Sequence, residues 1–354
     1  MNIRELLEVT NTRDASDLHL VSEYTPTLRI QGELHELVTF PKLLGKDIEV
    51  MIFEVLSPAQ KELLLQNREL DFSTSLEIGE EIVRFRANAY YQKGTLAVSF
   101  RRIPSRIPTI EELSLPTLLH EFAKLKQGFI LLTGASGQGK STTLASIIAE
   151  INLNRKTHII TIEDPIEYVY PKGKAMISQK ELYQDTHSWD KALKNVLRED
   201  PDVVYIGEMR DFDTISSALT IAETGHLVFS TLHTNSAAQT VDRIIDIFPA
   251  SAKEQVRLQL SMVLSGVVTQ RLVPSILGKR IPVCEILLGS PSIKNIIREG
   301  KTHLIDNTIQ TSQTEGMLLF EEDLKQKVEK QLITPEIAVE YALRPDRYLQ
   351  MMER

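Results

Sequence analysis

The chain has 354 residues, with 40 Lys and Arg against 48 Asp and Glu, a net charge of −8 and a single cysteine. That length allows two domains with their own cores, while the acidic balance speaks against a dedicated nucleic-acid binder, whose footprint is a basic excess. One cysteine excludes an internal disulfide and a cysteine-rich zinc site, and no apolar run approaches the ~20 residues that span a bilayer.

The N-terminal residues 1–8 are charged and lack the apolar core of a signal peptide. A soluble, cytoplasmic protein is expected, with any membrane association made through partners. Asp17–Val21, Thr27–Gln31, Ile82–Tyr90 and Leu96–Arg101 alternate polar and apolar residues, as half-buried strands do. Lys93 and Gly94 suit a turn between the last two. Ser57 is placed to cap a helix with Pro58 at its first position, and Gln60 completes a capping box. Residues 1–103 therefore read as a small α+β domain. Pro104, Pro108 and Pro116 mark residues 104–116 as a join, with Thr109 and Glu112 as a second capping box inside it.

Residues 117–354 read as an α/β domain. Apolar strand cores at Phe129–Thr133, Ile159–Ile162, Val203–Ile206 and Leu227–Thr231 alternate with helical patterns, such as Trp189, Ala192, Leu193, Val196 and Leu197. That alternation predicts a mostly parallel sheet covered by helices. Val256, Leu260, Val263, Leu264, Val267 and Val268 have the spacing of one apolar helix face. Cys284, among Val283, Ile286, Leu287 and Leu288, reads as a buried structural thiol. The charged stretch Glu321–Lys330 reads as a solvated helix face.

Gly134, Ala135, Ser136, Gly137, Gln138, Gly139, Lys140 and Ser141 fit G-x-x-x-x-G-K-[ST]. A strand pattern precedes them and a helix-like run from Thr142 follows, the context that makes this pattern a phosphate site. The glycines let backbone N–H groups converge on phosphate oxygens, and the helix N-terminus adds partial positive charge. Lys140 can neutralise the β- and γ-phosphates of ATP, and the Ser141 hydroxyl can ligate magnesium.

Hydrolysis also needs a carboxylate for hydrated magnesium and a polar group that orients the attacking water. In parallel sheets such groups gather at the carboxyl ends of strands. Glu163 and Glu208 follow the second and third predicted strands and are the best placed; a strand-end carboxylate beside a phosphate loop suits Glu208 to the magnesium. Asp164 and Asp211 read equally well as helix caps. His226 and His233 bracket the fourth strand, where either alone reads as a structural side chain and the pair as a γ-phosphate sensor or network.

Together these residues resemble the ring ATPases of type IV pilus and type II secretion systems, over essentially the whole chain. Glu163–Tyr168 is similar to that family's aspartate box, Leu197–Arg210 to its atypical Walker B segment and Thr224–His233 to its histidine box. Asp17–Leu20, Pro26, Arg29–Gly32 and Ser292–Glu299 are similar to signatures of the retraction ATPases within it. Extension and secretion members add an N-terminal recruitment domain and a four-cysteine zinc module, both expected to be absent here. The family's usual proline is Ala135 in this loop, its usual small residue is Gln138, and Ser230, Ser292 and Lys294 also depart from the pattern.

The resemblance implies a RecA-like P-loop ATPase domain preceded by a smaller PAS-like α+β domain. It implies a magnesium-dependent ATPase with ATP and magnesium as cofactors, working as a homohexameric ring. The ring would dock on an inner-membrane pilus platform protein at the inner face of the cell membrane, power pilus retraction, and share the load with a second motor ATPase. Glu163 would polarise the attacking water and Glu208 would act at the magnesium. Arg86 and Arg101 match N-terminal-domain arginines that reach the phosphates when the domains close. An accessory motor, or an extension or secretion ATPase, is the alternative within the family. A RecA-like nucleic-acid motor and a non-hydrolysing nucleotide-gated scaffold are the alternatives outside it.

Overall fold

The computed structural model describes residues 1–30, 32–78, 81–104 and 106–352. Two compact units are formed, Met1–Arg106 with Glu167–Val169, and Ile107–Ile166 with Tyr170–Arg354.

The first unit is a six-stranded antiparallel sheet of β1 (Asp17–Leu20), β2 (Thr27–Ile30), β3 (Glu33–Glu36), β4 (Glu69–Ile78), β5 (Glu81–Gln92) and β6 (Thr95–Ile103), in the order β3-β2-β1-β6-β5-β4. The period of two is plain on β5. Val83, Phe85, Ala87 and Ala89 are buried, while Arg84, Arg86, Asn88 and Tyr90 take the other face. Lys93 and Gly94 turn β5 into β6 with φ of +48° and +78°, the twist that suits a two-residue hairpin. Helices Ile3–Thr12, Gly45–Val55 and Pro58–Asn67 supply Leu6, Ile52 and Leu64 to a core shared with Leu18, Phe85 and Phe100. The capping box closes as the sequence predicts, with Ser57 N–H on Gln60 Oε1 at 2.9 Å and Gln60 N–H on Ser57 Oγ at 3.3 Å. Gln31, the expected end of the second strand, Ser105 of the expected join, and residues 353–354 lie outside the described residues.

The second unit holds a seven-stranded sheet of β7 (Gly128–Thr133), β8 (His158–Glu163), β9 (Met176–Glu181), β10 (Val203–Ile206), β11 (Leu227–Leu232), β12 (Leu264–Pro274) and β13 (Arg280–Leu288). The order is β13-β12-β7-β11-β10-β8-β9, and only β13 runs antiparallel to its neighbour. Every residue of β7, β10 and β11 is buried. Helices cover both faces of such a sheet, so its strands read as continuous apolar runs. This is the α/β class that the sequence predicts, and the four predicted strands match β7, β8, β10 and β11 to within a residue or two.

Two expectations are corrected. The helix expected through Val268 ends at Val263, and Leu264, Val267 and Val268 belong to β12 beside β7. The β-branched valines favour the sheet, and Gly266 stands at a register shift where Phe122 leaves no room for a Cβ; a fully buried strand has no polar period to distinguish it from a helix. The Glu321–Lys330 stretch is helical, over Phe320–Glu329, but Glu321, Asp323 and Lys327 are buried. Buried charges persist because they are paired. Glu321 accepts the Arg344 backbone N–H at 2.8 Å and its guanidinium at 3.1 Å. Asp323 accepts the Cys284 N–H at 2.7 Å, and Lys327 donates to the Ser114 carbonyl. Cys284 is buried as expected, and desolvation pushes its thiol well above its ordinary range.

Of the expected join, residues 107–116 fall in the second unit. Ile110 and Leu115 are buried, and the Pro108 carbonyl accepts from Ser146 at 2.7 Å. The Thr109–Glu112 box closes at 3.0 and 3.2 Å, over a turn rather than a helix. His120 then ties this segment to the helix Lys140–Asn154, with Nδ1 on Glu150 at 2.7 Å and Nε2 on Glu111 at 2.8 Å. The Glu150 hydrogen bond, ahead of both carboxylate charges, raises the His120 pKa. Glu111 is lowered, chiefly by backbone and Thr109 hydrogen bonds, and less by His120.

A raised histidine contributes stability that is complete below its unfolded pKa, near 6.5, and lost as pH climbs through the folded value. A lowered carboxylate contributes above its unfolded pKa, near 4.5, so the clamp is strongest at roughly pH 4.5–6.5. His120→Gln should therefore lower Tm by a few degrees at pH 6 and by little at pH 9. A pH-independent difference in thermal melts would remove the charged clamp.

Candidate nucleotide site

Strand order brings the predicted groups together. The chain leaves β7 at the glycine loop, and β11 and β10 later fill the sheet between β7 and β8. Thr133 is opposite Leu232, Ser230 opposite Ile206, and Ile206 opposite Ile162. The carboxyl ends of β7, β11, β10 and β8 thus stand in a row, presenting Gly134, His233, Glu208 and Glu163 along one edge.

The loop is curled as an anion cradle requires. Gly134, Gly137 and Gly139 have φ of +140°, +74° and +79°, a region in which side chains other than glycine are strained. Lys140 opens the helix Lys140–Asn154, and its buried Nζ donates to the carbonyls of Gly134 at 2.8 Å and Ala135 at 2.9 Å. Ala135, Ser136 and Gly137 are exposed; Gln138, Gly139, Ser141 and Thr142 are half-buried. Ser141 and Thr142 sit in the helix's first turn, whose N–H groups lack partners within the helix.

Glu163 is buried at the end of β8. Its Oε1 accepts from the Thr161 hydroxyl at 2.6 Å and from Gln179 Nε2 at 3.2 Å. Thr161 shares its face two residues earlier on the strand, a placement that period two could have supplied. Gln179 lies on β9, with no local signal. The Asp164–Pro165 peptide that follows is cis. Gly207 lets β10 approach, since a Cβ there would stand 3.3 Å from the Glu163 Cα. Glu208 is ion-paired with Arg210 and lies 3.6 Å from His233 Nε2. The Glu208 hydrogen bond raises Arg210 against its desolvation. Asp211 does cap: it accepts the Thr214 N–H at 2.9 Å at the start of the helix Phe212–Glu223, and hydrogen bonds from Thr214 lower its pKa.

The two histidines separate. His233 follows the carboxyl end of β11 beside Glu208, whereas His226 precedes its amino end. There the His226 carbonyl accepts from Gly128 at 3.0 Å, and Nδ1 contacts Thr224 Oγ1 at 3.0 Å and the Ile221 carbonyl at 3.1 Å. Six residues of strand, about 3.3 Å each, set His226 roughly 20 Å from the loop. Bracketing a strand means opposite edges of the sheet, and only one of them carries the glycine loop. Arg86 and Arg101 are cross-strand partners in the first unit, and Arg101 Nε donates to Asp17 Oδ1 at 2.8 Å.

Among the described residues no cluster of three or more His, Cys, Asp or Glu could cage a metal ion. Magnesium beside a triphosphate does not need one. It keeps several waters and takes phosphate oxygens with one or two protein oxygens, and the Ser141 hydroxyl and Glu208 carboxylate are hard oxygen donors of that kind.

Residues 3–331 match the family model described as type II/IV secretion system protein. The chain is 41% identical to the type IV pilus retraction ATPase PilT of Pseudomonas aeruginosa, over 98% of this chain and all of that one. It is 43% identical to a twitching motility protein of Neisseria gonorrhoeae, over 95% and 89% of the two chains. The type IV pilus ATPase PilU of Pseudomonas aeruginosa is 38% identical over 97% and 89%. A solved structure of the pilus retraction motor PilT with bound ADP superposes with a TM-score of 0.92 at 42% identity, covering 99% of this chain and all of that one.

Proposed function

This chain belongs to the type II/IV secretion system protein family, and we propose that it is a magnesium-dependent ATPase working as a homohexameric motor that retracts type IV pili. The observation that carries this is the full-length likeness to retraction and twitching proteins, joined to a curled phosphate loop with Glu163, Glu208 and His233 on the same sheet edge.

The loop N–H groups and Lys140 hold the β- and γ-phosphates. Glu163, its carboxylate fixed by Thr161 and Gln179, orients the attacking water and takes its proton. Ser141 and Glu208 would hold magnesium, which would neutralise charge developing on the phosphates. We assign the γ-phosphate sensing role to His233, which lies 3.6 Å from Glu208, and none to His226 at the far edge. In this reading Arg86 and Arg101 of the N-terminal domain would reach the phosphates as that domain closes. Hydrolysis then reopens it, so turnover and domain motion are coupled. Successive closures around the ring would turn an inner-membrane platform protein from its cytoplasmic side. No described helix is long and apolar enough to cross a membrane.

The likeness to PilU keeps an accessory motor as the second reading. Deleting the gene and counting surface pili separates the cases. A retraction motor's loss leaves excess pili that no longer retract, an accessory motor's loss leaves retraction in place, and an extension motor's loss leaves no pili.

A further inference from the structure

We propose that Gln270, on β12, is a positioning residue for the nucleotide: it clamps the phosphate loop in its anion-binding curl, and Gln138 closes the clamp from the loop side. The Gln270 amide donates to the Gln138 carbonyl at 2.7 Å, and its amide oxygen accepts from the Thr143 hydroxyl, in the helix's first turn, at 2.8 Å. Gln138 answers with its own side chain, whose Oε1 accepts the Leu272 N–H at 2.6 Å. The Gln270 backbone carbonyl stands where a Cβ on Gly134 would lie. One strand thus holds the start, middle and end of the loop. A hydrogen bond between Thr133 Oγ1 and Thr269 Oγ1, at 2.9 Å, continues the staple below it.

The amide orientation follows from the network, since a flipped Gln270 would set its oxygen against the Gln138 carbonyl. Gln270 is 1% exposed. The bond to Thr143 is therefore made out of water and the bond to Gln138 partly so, and losing a partner leaves a buried amide atom of Gln270 unpaired. A glycine-rich loop has many other conformations, and binding must otherwise order it. The clamp supplies that order before the ligand arrives. The Gln270 side chain is used up on Gln138 and Thr143, so it acts through the shape of the loop and on ground and transition states alike.

The inference rests on the nucleotide reading above. Its test is calorimetric binding of ADP with magnesium, and ATP turnover, by the full chain and by Gln270→Met and Gln138→Ala. Gln270→Met should raise both Kd and KM about tenfold, as for the loss of about one to two net hydrogen bonds. Gln138→Ala should raise them about threefold, and kcat of Gln270→Met should stay within about twofold. The double variant should bind about as Gln270→Met does, because the residues share one clamp. Wild-type affinity in a folded Gln270→Met protein overturns the proposal, as does a fall in kcat at unchanged KM. Should Gln270→Met fail to fold, wild-type affinity in Gln138→Ala overturns it instead. A wild-type chain that binds no ADP overturns the nucleotide reading itself, before any variant is compared.

Discussion

Lys140→Ala is expected to lower kcat/KM for ATP by about 10²–10³-fold, the scale on which removing one preorganised charge-stabilising donor acts. Lys140 is buried, and its ammonium rests on two loop carbonyls, Gly134 and Ala135. The phosphates would exchange those neutral acceptors for anionic ones, adding charge–charge attraction to bonds that the ammonium already makes. Alanine also leaves the two carbonyls without this donor, although Ala135 is exposed and water replaces the loss there. The loop's curl comes from its glycines and from β12, so the fold survives and thermal melts should stay near wild type. Phosphate release across an ATP titration checks the prediction. Turnover within tenfold of wild type would place the phosphates elsewhere.

Glu163→Gln is expected to lower kcat by about 10²–10⁴-fold, the range for loss of a positioned general base, with ADP affinity nearly unchanged. Glutamine keeps the size of the side chain and still offers an oxygen to the Thr161 hydroxyl. It cannot take a proton. A neutral group at this buried position is also cheaper to desolvate, so no loss of stability is expected. The separation of an intact Kd from a collapsed kcat is the signature of a group used in the chemical step. Unchanged turnover in purified Glu163→Gln would remove this residue from catalysis.

The site's parts were legible where a local pattern carries the chemistry. The glycine loop, the strand ends that carry Glu163 and Glu208, and the Ser57 and Lys93–Gly94 devices depend on residues within a few positions of one another, and their local backbone takes the form that the sequence predicts. Gln270 was invisible because it sits 132 residues from Gln138, and only the insertion of β12 beside β7 brings them together. His226 misled for a related reason. Six residues of strand bring the two histidines close in sequence and place them on opposite edges in space. The Glu321–Lys330 helix misled because charge reads as solvent exposure until its partners, Arg344 and the Cys284 N–H, are known.

Phosphate release by the purified chain, at saturating ATP with and without magnesium, tests the motor account most directly. The account predicts steady turnover that stops when magnesium is chelated, is lost in Lys140→Ala and Glu163→Gln, and is indifferent to added DNA or RNA. ATP binding without phosphate release would contradict it and leave a nucleotide-gated scaffold. Turnover that depends on nucleic acid and falls steeply with salt would contradict it as well.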